Sequence, residues 1–371
     1  MRYVKILPIL FAFLLVFSSF IILVEKEPKK NDESSESNNE EKVIQPEQAV
    51  EVSHKELMNL GYFTQYWDQD VTSSNSLQNN HQYMNQIAIA TYHVTANGTI
   101  DGFNPQESID FANKKGLKTY ATIQNQFDSD VANRILSDAH LRKTTIDSML
   151  QLVKTNGYTG LNINFENMYA NDRENFNQFI KEVVKVFHEH HYPVIVSVPA
   201  KTGDFPDWEW SGTFEYKTLG EVADYIQLMS YDQHGTWGEP GSVAGVNWVE
   251  NVLQYATSKI PSEKILIGLP AYGYDWNLNN SDENKAVSWK EVETLIEKTG
   301  AEVQWDSASK SPYFHYIADN GDKHTVWFEN EASIKNKTEL VHKYKLAGTS
   351  MWRMGLEDES FWRTVQEGLD K

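Results

Sequence analysis

Hydrophobic residues are distributed along this chain in three regimes. The first is a continuous apolar stretch from Ile6 to Val24, preceded by Arg2 and Lys5 and followed at once by Glu25 and Lys26. About 20 apolar residues are what a helix needs to cross a bilayer, and no small-residue A-x-A-like cleavage site closes the run. Residues 1–24 therefore read as an uncleaved signal anchor, with a cleaved secretory signal as the alternative. The positive flank keeps the N-terminus inside and sends the remainder across. The expected localisation is extracytoplasmic, anchored to the cell membrane, or secreted if the segment is removed. The second regime, residues 25–53, consists largely of Glu, Asn, Ser and Lys without an aromatic residue. It has too little apolar area to offset its ordering entropy and reads as a disordered acidic linker.

The third regime, residues 54–371, alternates short apolar runs with longer amphipathic stretches. The runs are Gly61 to Trp67, Gln86 to Tyr92, Lys118 to Gln124, Gly160 to Glu166, Val194 to Ala200, Asp224 to Tyr231, Ile265 to Tyr272 and Gly348 to Met354. Between Asp172 and Val184, apolar residues recur at i, i+3, i+4, i+7 and i+8, the spacing of one helix face. Gly116, Gly157 and Gly348 precede strands, where helix C-terminal turns favour glycine. Eight strands separated by helices predict an α/β fold, a (β/α)8 TIM barrel. The interval from about 276 to 330 is too long for one helix. It contains a helix with a serine cap at Ser288, three β-rich runs and an Asn320-Gly321 hairpin signal, so it predicts a small α+β insertion after the seventh strand.

The fourth run carries the candidate chemistry. Side chains alternate across a strand, so Leu161, Ile163 and Phe165 face the helices while Asn162, Asn164 and Glu166 share the row inside the barrel. Such a row is costly unless its members are hydrogen-bonded, and Glu166 stands at the C-terminal end where barrel active sites lie.

Composition narrows the function. With no cysteine, the chain has no disulfide, thiolate nucleophile or cysteine metal site, and the redox compartment stays open. A formal charge of -19 opposes nucleic-acid binding but suits a neutral glycan. The chain holds 11 Trp, 18 Tyr and 17 Phe. Most belong in the core, but those at strand ends are candidates for stacking on the apolar faces of sugar rings. His188-Glu-His190-His191 lacks H-E-x-x-H spacing and falls at a helix C-terminus, where histidine is favourable to the helix dipole. No metal and no cofactor are expected.

The segment from Thr159 to Glu166 resembles the fourth-strand motif D-G-x-D-x-D-x-E of family 18 glycoside hydrolases, and within that family the bacterial spore-germination and cortex-lytic branch. The motif's glutamate falls on Glu166; its aspartates fall on Thr159, Asn162 and Asn164. Tyr225-Ile-Gln-Leu-Met229-Ser-Tyr231-Asp232 resembles the sixth-strand M-x-Y-D segment, Gly268-Leu-Pro-Ala-Tyr272-Gly273 the seventh strand, and Gly348-Thr-Ser-Met-Trp352 the eighth. The resemblance covers most of residues 57 to 368. It implies hydrolysis of N-acetylglucosamine polymers, peptidoglycan or chitin-like, with the substrate's acetamido carbonyl as nucleophile and Glu166 as general acid. It also implies catalytic parts for Asn164 and Tyr231, and sugar contacts for Asn162, Met229, Asp232, Trp352, Tyr62 and Tyr272. Met229 and Tyr272 could instead be packing residues.

Asn164 departs from the motif in the residue that balances the positive charge of the intermediate. A unit charge pair at about 4 Å and an effective dielectric near 20 is worth roughly 4 kcal/mol, or up to about a thousandfold in rate. Two readings follow: a working, slower N-acetylglucosaminidase, or a glycan-binding pseudoenzyme that keeps the groove. A neutral amide beside Glu166 should also leave the acid easier to deprotonate than a carboxylate would.

Overall fold

The computed structural model describes residues 56–371. The predicted anchor and linker lie outside the described residues, and no helix among the described residues is long and apolar enough to cross a membrane. Eight parallel strands close on themselves: β1 (Met58–Phe63), β2 (Gln86–Val94), β3 (Lys118–Gln124), β4 (Gly160–Asn164), β5 (Val194–Pro199), β6 (Tyr225–Met229), β7 (Ile265–Pro270) and β8 (Gly348–Trp352). Each pairs with its sequence neighbours, and β1 closes the barrel by pairing with both β2 and β8. This is the expected (β/α)8 barrel, with every apolar run in its place and ends displaced by a few residues.

The outward row of β4 explains the neighbouring helix. Leu161, Ile163 and Phe165 are fully buried, and Phe165 stacks on Phe176 and Phe179, at 6.5 and 5.7 Å between centroids. Both rings come from the helix Arg173–Glu189, whose i, i+3 spacing puts them on one face. At full burial, each such side chain contributes about 1.5–3 kcal/mol of transfer free energy.

Two of the three glycine expectations hold. Gly116 and Gly157 follow helices with φ of 83° and 73°. Gly348 does not end a helix; Lys345 takes the left-handed position after Glu331–Tyr344. Gly348 is instead the first residue of β8, and a Cβ there would lie 2.0 Å from the Met58 carbonyl oxygen. Close approach of β1, rather than a helix turn, excludes a side chain.

After β7 the chain builds a five-stranded antiparallel sheet in the order Lys285–Ser288, Tyr272–Asn277, Lys323–Trp327, Ser311–Ile317, Gln304–Asp306. The helix Trp289–Thr299 starts with a capping box at Ser288 and Glu291. Val287, Val292, Phe314, Val326 and Phe328 form a separate small core for this unit. The insertion begins at Tyr272, four residues earlier than expected. Pro270 ends β7, and Tyr272 to Asn277 pairs antiparallel with the insertion instead of continuing the barrel.

Candidate active site

The inward row of β4 rises from a satisfied polar layer to an open cleft. Asn162 is fully buried below the cleft. It accepts hydrogen bonds from Tyr62 and Thr122, both at 3.1 Å, and donates to Ser197 at 3.1 Å and the Ile195 carbonyl at 3.3 Å. It therefore supports Tyr62 and reaches the cleft through that ring. Asn164 donates its amide to Glu166 Oε1 at 3.0 Å. Its own carbonyl oxygen is buried at the cleft wall with no partner in the protein. Such a group is costly to leave unpaired and marks a place where a donor is missing. Thr159 lies at the other end of the strand, where it exchanges hydrogen bonds with the Thr119 backbone. Its departure from the motif does not touch the cleft.

Glu166 lies just past the strand and is fixed through its backbone. The Asn125 side chain accepts from the Glu166 N–H at 2.8 Å and donates to its carbonyl at 2.7 Å, extending the ladder where no strand remains. Burial is the main force on the carboxyl and pushes its pKa up to about 7. The Asn164 amide opposes this, and the negative charge of Asp232 adds to it.

Asp232 follows β6 with a left-handed φ of 60°. Its Oδ1 accepts from Tyr272 at 2.6 Å and Tyr274 at 2.8 Å. Burial raises its pKa, and those two hydroxyls partly offset the rise. Tyr272 and Tyr274 are two residues apart on one strand of the insertion, so both point the same way. Tyr272 itself sits behind Asp232 rather than on the cleft wall. Tyr231 lines the cleft, and burial holds its hydroxyl well above its ordinary pKa, so it remains a donor.

The cleft has a volume of about 850 Å³. Tyr62, Asn164, Glu166, Met229, Tyr231, Asp232 and Trp352 all line it; the rings of Tyr62 and Trp352 are 5.6 Å apart. The structure thus brings seven of the nine expected site residues together and sets Asn162 and Tyr272 one layer behind. It also adds Tyr66, Phe127, Trp210 and Trp237, all more than half exposed at the cleft mouth. Sequence reasoning passed over these four, although an exposed Trp in a polar, glycine-containing loop, as at Gly235-Thr-Trp237-Gly238, was a usable signal. Non-glycine residues with left-handed backbone gather here as well: Gln126, Phe127, Asn167 and Asp232. Strain of this kind is commonly stored where side chains must be aimed. The histidines near 190 lie elsewhere. His188 bonds Asp224 at 2.9 Å, and His190 faces Lys154.

An acid of raised pKa in an aromatic cleft at the C-terminal mouth of a (β/α)8 barrel is a glycosidase arrangement, and sequence comparison agrees. The chain belongs to glycosyl hydrolase family 18, whose model matches residues 59–357. It is 39% identical over 317 residues to the uncharacterized glycosylase YvbX of Bacillus subtilis, spanning 84% of this chain and 91% of that protein. It is 27% identical over 292 residues to the cortical fragment-lytic enzyme of Bacillus subtilis, spanning 77% and 68%. Among solved structures, a chitinase from Chromobacterium violaceum is similar at a TM-score of 0.80 and 32% identity, covering 85% of this chain and 99% of that one.

Proposed function

We propose that this chain hydrolyses N-acetylglucosamine-containing glycans, peptidoglycan or chitin-like, by a retaining, substrate-assisted reaction with Glu166 as general acid. The observation that carries the reading is the pair Glu166 and Asn164: a carboxyl that holds its proton up to about pH 7, beside a buried amide oxygen left without a donor. An N-acetyl group in the cleft would supply that donor through its N–H.

In this reaction Glu166 gives its proton to the glycosidic oxygen as the bond to the anomeric carbon breaks. The substrate's acetamido carbonyl oxygen closes on the same carbon, so the protein supplies no nucleophile. Tyr231 donates to that carbonyl, and Asn164 Oδ1 accepts the acetamido N–H. Trp352 stacks beneath the sugar, Met229 gives an apolar wall and Asp232 accepts from a sugar hydroxyl. Water then opens the intermediate, returning its proton to the Glu166 carboxylate. The second reading, a binder without turnover, rests on Asn164 itself, which orients the acetamido group but cannot balance its positive charge.

The test is a reducing-end assay of residues 54–371 on muropeptides and on chitooligosaccharides, beside Glu166→Gln. Cleavage by the wild type that disappears in the variant is the expected result. Cleavage retained in Glu166→Gln removes Glu166 as the acid, and binding without cleavage by the wild type selects the second reading.

The apolar run Ile6 to Val24 supports a further proposal, that the barrel works outside a membrane to which residues 1–24 anchor it. Mass spectrometry of the membrane fraction should find this segment intact. A mature N-terminus between Ser18 and Lys30 would overturn the anchor in favour of a cleaved signal.

A further inference from the structure

Loop residues 201–214, between β5 and the helix Tyr216–Val222, hold aromatic rings that the cleft does not use. Trp210 lines the cleft and stacks on Phe127 with centroids 6.1 Å apart. Two residues earlier, Trp208 stacks on Phe205 with centroids 4.5 Å apart and planes inclined by 18°. Trp208 is 59% exposed and Phe205 39%. This second pair adds nothing to the barrel core, and water faces it.

The loop that carries the pair is firmly held. Arg173 forks onto Asp204 at 2.9 and 2.7 Å and donates to the Gly212 carbonyl at 2.8 Å. The buried Lys201 ammonium donates to Asp204 at 2.9 Å and to the Phe214 carbonyl at 2.8 Å. These two cations hold the Asp204 carboxyl near a pKa of about 2, so the clamp stays charged through the neutral range. Within the loop, Trp208 N–H donates to Phe205 O, and Gly212 N–H donates to Trp208 O. A Cβ on Gly203 would lie 2.9 Å from the Phe205 ring, so that position leaves room for the ring to lie flat. Rings held in place before a ligand arrives lose little freedom on binding.

We infer that Phe205 and Trp208 form a glycan-binding platform that continues the cleft beyond Trp210 and holds sugar units remote from Glu166. The inference rests on the glycan reading above and names where a longer chain runs. Continuity decides the occupant: the same loop already sends Trp210 into the cleft. A neutral sugar chain offers flat C–H faces to the rings and hydroxyl or amide donors to the exposed carboxylates of Asp207 and Glu209, which flank Trp208. Those carboxylates disfavour an anionic ligand at this place. Cleft and platform together bind a chain longer than the cleft alone encloses.

The experiment measures binding of chitotriose and chitohexaose to the full chain and to its Trp208→Ala and Phe205→Ala variants. The wild type should bind the hexamer more tightly than the trimer. Each variant should lose about three- to tenfold in hexamer affinity, the worth of one stacking contact, with trimer affinity unchanged. The trimer thus reports that the variants are folded and the cleft intact. Unchanged hexamer affinity in both variants overturns the platform and leaves the glycan reading standing; so does an equal loss on trimer and hexamer. A wild type that binds neither oligomer overturns the glycan reading, and the platform falls with it.

Discussion

The amide of Asn164 donates to Glu166 Oε1 at 3.0 Å while its own oxygen stays without a partner. A donor to the ionised carboxylate favours the charged form, so Asn164 restrains a pKa that burial has already raised to about 7. Asn164→Asp reverses that influence, because two neighbouring carboxylates resist joint ionisation. The proposed general acid has to be protonated when substrate binds, so the fall of activity at rising pH should move to higher pH in the variant. The maximal rate should rise, by up to about a thousandfold, as the intermediate regains a countercharge. Rates on a chitooligosaccharide across pH 5 to 9 check both. A folded, glycan-binding Asn164→Asp that gains no hydrolysis would show that this position is not what limits the chain.

Glu166 should cost the fold stability at alkaline pH. Its carboxyl titrates at about 7 here against 4.5 in its ordinary state, so between those values the folded chain binds more protons than the unfolded one. Stability from this group is complete below about 4.5 and is lost as pH rises through about 7. Glu166→Gln should therefore melt above the wild type at pH 8, with the difference vanishing near pH 4.5. Equal melting temperatures at pH 8 would contradict the raised pKa.

Asn125 should act as a positioning residue. Its side chain holds both backbone polar groups of Glu166 and also donates to the Asp128 carbonyl. Asn125→Ala should destabilise the fold by about 1–3 kcal/mol, the cost of leaving such groups unpaired. Beyond that, on the proposed mechanism kcat should fall roughly ten- to a hundredfold with KM little changed, because a displaced Glu166 would lose its geometry while the aromatic rings that would bind the sugar stay in place. A parallel rise in KM without loss of kcat would reduce Asn125 to a structural support.

Trp352→Ala should weaken binding of N-acetylglucosamine oligomers at least three- to tenfold, whether or not the chain turns them over. Trp352 and Tyr62 share the cleft wall with ring centroids 5.6 Å apart. Titration against a chitooligosaccharide, with a melting curve to confirm folding, checks this. Unaltered affinity would remove Trp352 from the site.

The period-2 alternation of Leu161, Ile163 and Phe165 against Asn162, Asn164 and Glu166 was enough to orient β4, because a strand buried under helices has only one apolar face to give them. The helix that covers it was legible from the spacing of Phe176 and Phe179 for the same reason. Local pattern also located the insertion's helix and its Asn320-Gly321 turn, since caps and hairpins are decided by neighbours in the chain. What local pattern could not supply was any relationship made across the barrel. That Tyr272 and Tyr274 both donate to Asp232 depends on where the strand after Pro270 leaves the barrel. That Asn125 holds Glu166 depends on the pairing of β3 with β4. The exposure of Trp208 and Trp237 depends on how their loops fold; the glycines beside Trp237 hint at it, but contacts between distant segments decide which other aromatics stay out of the core. The sequence by itself determined the barrel and the inward placement of Glu166 at the end of β4, because strand and helix periodicity records which faces are buried. Only the tertiary structure decided the raised pKa of the Glu166 carboxyl, its backbone support and the extent of the aromatic cleft, because each is a property of distances between segments far apart in the chain.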